Sequence, residues 1–92
     1  MEEITNREQL KECADSILLG CRWRAAKSRL ADYEILSKLS KDEDSVIRFA
    51  VVENENVTNH ILLEMFLVEQ VDFVAKAIVN KMKRRNMVKE LN

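Results

Sequence analysis

The sequence predicts an all-α fold: a short right-handed α-α superhelix, or solenoid, of about 3–4 helix pairs with a ~26-residue repeat. Three observations predict it. Proline is absent and glycine occurs once, at Gly20, which leaves little material for hairpin turns or long loops. Ala, Leu, Glu, Lys and Arg dominate, all residues that lose little side-chain freedom in a helix. Finally, the apolar residues fall into columns when the chain is slid against itself by about 26 positions. Leu10 meets Leu36, Leu62 and Val88, and Cys13 meets Leu39, Met65 and Leu91. Cys21 meets Ile47 and Phe73, Ala25 meets Val51 and Ala77, and Ala26 meets Val52 and Ile78. Units of this kind cannot bury an apolar face alone and stack to do so.

Taken in order, the elements are helices over 6–14, 16–28, 32–41, 44–54, 58–67, 70–82 and 84–91. Thr5 with Glu8 has capping-box spacing for the first, and Asp32, Asp44 and Thr58 are N-cap residues for the third, fourth and fifth. Leu36 with Leu39, and Leu62 with Met65, supply i, i+3 contacts on one helix face. Val46, Ile47, Ala50, Val51 and Asn54 mark the inward face of the 44–54 helix. Asn54 and Asn80 are expected at helix ends in the left-handed conformation. Residues 1–92 make a single helical-repeat domain, since 92 residues suffice for one core. The chain is 47% hydrophobic and 34% charged, within the folded rather than the disordered range. It carries no membrane-length apolar run and no secretory signal, so a cytoplasmic protein without membrane contact is expected.

The stretch from Leu39 to Thr58, LSKDEDSVIRFAVVENENVT, orders its residues as Leu-x-x-Asp, then Val and Arg, then Asn-x-Asn-x-Thr. A weaker copy is CRWRAAKS followed by DYEILSKL. This pattern resembles the leucine-rich repeat variant family and, beyond it, HEAT-like helical repeats. Glu55 and Thr58 or Asn59 stand where that family usually has prolines. The resemblance implies a fold and a binding role rather than an activity. The cluster-binding function of one family member needs several grouped cysteines, and with two in this chain no cofactor is implied.

Charge is segregated along the chain despite a formal net charge of −1. Between Asp32 and Asp72 ten acids face three bases, while Arg22, Arg24, Lys27 and Arg29 form a cluster without acids. Lys76, Lys81, Lys83, Arg84, Arg85 and Lys89 form a second basic cluster. Such asymmetry steers partners of opposite charge. The function expected is therefore a non-enzymatic protein-binding module. Its sharpest form is a small inhibitor or immunity-type protein that blocks a basic partner such as a toxin or nuclease. The expected contact residues are Asp42, Glu43, Asp44, Glu53 and Glu55, with Trp23 between Arg22 and Arg24 as a further anchor. The alternatives are nucleic-acid binding through residues 22–29 and 76–89, a phage-encoded inhibitor of a host system, and pairing into a homodimer through Met87, Val88 and Leu91.

Catalytic and metal chemistry finds little material. Cys13 and Cys21 lack CxxC spacing, and their columns hold Leu39, Met65 and Ile47, so both read as small core residues, with a disulfide or a reactive thiol as the alternative. His60 shares a column with Glu8 and Glu34, which predicts a solvated face rather than a general base. Asp42, Glu43 and Asp44 precede an apolar run, where carboxylates cap a helix and meet its dipole. No metal site and no catalytic residue is expected.

Overall fold

The computed structural model describes residues 4–87, and these form six α-helices with no strand among them. They are α1 (Arg7–Ala14), α2 (Leu19–Lys27), α3 (Tyr33–Leu39), α4 (Ser45–Glu53), α5 (Asn59–Val68) and α6 (Asp72–Arg84). Helices α2, α4 and α6 pack side by side, and α1, α3 and α5 each pack against that layer. The molecule measures 42 × 21 × 19 Å with a radius of gyration of 13.0 Å, the size of a compact domain of this length. None of these helices is long and apolar enough to cross a membrane.

Local chemistry sets the starts of the helices. Asp32 accepts a hydrogen bond from the Ile35 N–H, Asp44 from Val46 and Thr58 from Ile61, each filling an orphan donor of the first turn. The first cap is Asn6 rather than Thr5. Its side chain accepts from the Gln9 N–H, whereas Thr5 bonds the Gln9 side chain through its own N–H and hydroxyl. Half of the last predicted helix, 84–91, falls outside the described residues. Arg84 instead ends α6, and Asn86 takes a positive φ of 58° at the turn beyond it.

The core follows the column pattern closely. Leu10, Leu36 and Leu62 are fully buried, as are Ala26, Val52 and Ile78, each in a different helix. Burying a Leu or Ile contributes about 1.5–3 kcal/mol over leaving it in water, so these positions hold the layers together. Phe73 of one column and Val46 of the expected inward face depart from expectation. Phe73 is half exposed and leans on Phe49 at 5.6 Å between ring centroids, while Val74 beside it takes the buried place. Val46 is also exposed, because the inward face of α4 is set by Ile47, Ala50 and Val51, with the end of the arc turned to solvent.

The two asparagines expected in left-handed conformation do something else. Asn54 has φ −71° and ψ 130°, an extended residue that ends α4. Its buried amide donates to the carbonyls of Ala26 and Ser28, both at 2.8 Å, and its oxygen accepts from the Asn56 N–H. Asn56 extends this seam by donating to the Arg29 and Ala31 carbonyls. Asn80 lies inside α6 and ends nothing.

Candidate functional site

Three turns carry the chain from the α1–α3–α5 side into the α2–α4–α6 layer, and two arginines hold them in a row. Arg22 donates through Nη1 to the Ser16 and Ile17 carbonyls of the first turn, both at 3.1 Å. Its Nε reaches forward to Asp42 Oδ2 in the second turn at 2.8 Å. Arg48 repeats the arrangement one unit on, from the Asp42 and Glu43 carbonyls to the Glu69 carboxylate of the third turn. The turns are closed internally in the same manner. Ser16 accepts from the Leu18 N–H, Asp42 from Asp44 and Glu69 from Val71.

The ion pairs change the electrostatics foreseen for the middle of the chain. The Arg48 guanidinium holds the Glu69 carboxyl below the usual carboxylate range, with the Val71 N–H adding to the effect against the cost of burial. Asp32 is likewise lowered, first by the Ile35 N–H and then by Arg7, which also contacts Glu34. Asp42 pairs with Arg22, Glu55 with Lys81, and Glu64 lies 3.5 Å from His60. Five of the ten acids between Asp32 and Asp72 therefore have a cationic partner, and Glu64 has the histidine. Glu43, Asp44, Glu53 and Asp72 have no ion pair among the described residues.

The expected contact residues are accordingly divided. Asp42 has its side chain 8% exposed and works as an internal anchor. Asp44 caps α4, and Glu43 beside it is exposed. Glu53 and Glu55 lie at the other end of α4, on the edge sewn by Asn54, Asn56 and Arg85. Trp23 is 39% exposed, with the Lys27 ammonium 4.1 Å from its ring centroid. With Arg24 and Arg29 it lines a surface groove of about 310 Å³.

The two basic clusters are partly engaged within the fold. Arg22 joins turns, Lys81 is buried against Glu55, and Arg85 donates to Val57 O and Asn59 Oδ1. His60 is exposed beside Glu64, as its column foretold. Cys13 and Cys21 are only half-buried, since no described helix covers the outer side of α1.

A set of apolar residues escaped the column reasoning. Ile17 is 93% exposed, Leu67 79% and Val68 74%, with Leu18 exposed beside Ile17. They lie in or next to the turns that Arg22 and Arg48 join. Leu67 and Val68, with Met65, Glu64, Ser40 and Lys41, line a cleft of about 290 Å³ between the second and third turns. A signal was present in the sequence: Ile17 and Leu18 stand 26 residues ahead of Glu43 and Asp44, an apolar pair at the spacing where the later turn is acidic. Exposed apolar residues grouped in this way mark interaction surfaces.

Compared with family models, curated proteins and solved structures, this chain matches none.

Proposed function

We propose that this chain is a short α-α solenoid of the helical-repeat type and that it binds another protein without catalysing a reaction. The repeat reading is supported by Arg22 and Arg48, which make equivalent contacts about 26 residues apart, and by the buried columns of Leu10, Leu36 and Leu62. The partner surface is the turn edge bearing Ile17, Leu18, Leu67 and Val68, with Glu43, Asp44 and Asp72 as its carboxylates. One observation carries the proposal: large exposed apolar side chains border turns joined by ion pairs, with the exposed Glu43 beside Ile17 in one groove. Preorganised turns lose little freedom on docking, which favours affinity.

Charge complementarity makes the partner a protein presenting apolar side chains ringed by Lys or Arg. An inhibitor that covers the basic cleft of a toxin or nuclease fits that description. The acidic contribution is smaller than the sequence balance suggests, because half of the acids are already paired with Arg or Lys. Apolar contact then supplies affinity, and charge supplies orientation and speed.

The experiment is affinity capture from the native source with wild type, I17D/L67D, E43K and E53K as baits. Recovery of one specific protein by wild type and E53K, and its loss with the other two, supports the assignment. Equal recovery by all four baits overturns it. Asp42 is unsuitable for charge reversal, since removing it frees Arg22 and disturbs the fold.

A further inference from the structure

The first helix pair differs from the others in the residues that join its two helices. Where α3 and α4 bring Leu39 and Ile47 into the core, α1 and α2 bring Cys13 and Cys21. Both are free thiols and both are half-buried. They line one groove of about 260 Å³ together with Ile4, Gln9, Glu12 and Arg24. The Arg24 Nη2 lies 3.8 Å from Cys21 Sγ. Burial pushes the Cys13 thiol up, and hydrogen bonding with the Cys21 side chain pushes it further. The two thiols therefore share one groove, reachable from solvent, and are unequal in their surroundings.

We propose that Cys13 and Cys21 form a reversible intramolecular disulfide by exchange with a low-molecular-weight disulfide entering this groove. Cys21 makes the first attack, because its sulfur lies within contact of the Arg24 guanidinium while burial holds Cys13 as the protonated thiol. Its thiolate joins one sulfur of the incoming disulfide. The S–S bond breaks, and the departing thiolate takes the electron pair and then a proton. Cys13 then loses its proton and attacks Cys21 Sγ, expelling the second small thiol in the same manner. The two cysteines are oxidised to one disulfide, and one small-molecule disulfide is reduced to two thiols.

The ring closed in this way contains residues 14–20, which include Ile17, Leu18 and Leu19. Oxidation thus stiffens the segment that exposes Ile17 and Leu18. This consequence rests on the partner surface proposed above; the disulfide itself does not.

The test is intact-mass measurement of the full chain after equilibration across a series of reduced-to-oxidised glutathione ratios. The expected result is a monomer that loses two hydrogen atoms and recovers them with dithiothreitol. C13S should collect one glutathione at Cys21, and C21S should collect one at Cys13 more slowly. A folded chain that stays reduced across the series, while the same chain in urea oxidises, overturns the proposal. So does a product that is a covalent dimer. Equal rates of glutathione uptake by C13S and C21S overturn the assignment of Cys21 as the attacking thiol.

Discussion

Arg48 meets Glu69 through two parallel hydrogen bonds, Nε to Oε1 at 2.8 Å and Nη2 to Oε2 at 2.9 Å. This fork joins α4 to the turn ahead of α6, and the Glu69 side chain is only 4% exposed. The planar guanidinium fits the carboxylate in a way that a lysine ammonium does not. The pair fixes the third turn relative to the second and so sets the spacing of the proposed docking edge.

Acid should loosen this joint in a defined direction. The folded Glu69 carboxyl ionises below its ordinary value, so its stabilisation is fully present above about pH 4.3, where the unfolded chain titrates. It is lost as pH falls through the lower, folded value. E69Q should be about 1–2 kcal/mol less stable than wild type at neutral pH, solvent screening of the partly exposed Arg48 keeping the figure modest. The two proteins should converge in strong acid. Urea titrations at a series of pH values check this, and a gap independent of pH would contradict it.

Asn54 should be among the least replaceable polar residues. N54A leaves the Ala26 carbonyl and the Asn56 N–H without this partner at a buried position and removes one of the two donors to the Ser28 carbonyl. The expected loss is about 2–3 kcal/mol, seen as a lower urea midpoint at unchanged slope. N54D, which keeps the acceptor and removes the donor, should lose at least as much.

Core and surface leucines on the same helix should separate cleanly. L62A removes a fully buried side chain and is expected to cost about 2–5 kcal/mol. L63A, next to it but half exposed, should cost under about 1 kcal/mol. Thermal melts of the two variants make the comparison, and similar losses would place α5 in a different orientation.

Trp23 should behave as a surface ring. W23A is expected to cost about 0.5–1 kcal/mol, the contact with Lys27 included. As the one tryptophan of the chain, its emission should be readily quenched by acrylamide in the folded state. Protection from acrylamide in the monomer would return Trp23 to the core.

Leu10, Leu36 and Leu62 could be assigned to the interior from sequence because burial repeats with the backbone period, and nothing but their spacing is needed to see it. The caps at Asp32, Asp44 and Thr58 were legible for the same reason: each acts on an N–H two or three residues away. Asn54 was noticed but given the wrong task. Its true partners, Ala26 and Ser28, lie in another helix pair, and only the stacking brings their carbonyls within reach. Its neighbours in sequence fitted an ordinary helix end equally well.

The sequence by itself determined the helical class, the bounds of the six helices to within a few residues, and most of the buried columns, since these follow from local propensity and periodicity. Tertiary structure alone decided which charges are engaged. Arg22 finds Asp42 20 residues on and Arg48 finds Glu69 21 residues on, pairings that form only where the turns align. That alignment turned a strongly acidic stretch into a half-paired one. It also left Ile17, Leu67 and Val68 facing water on one rigid edge, because a turn on the outside of stacked helices has no neighbour to bury them.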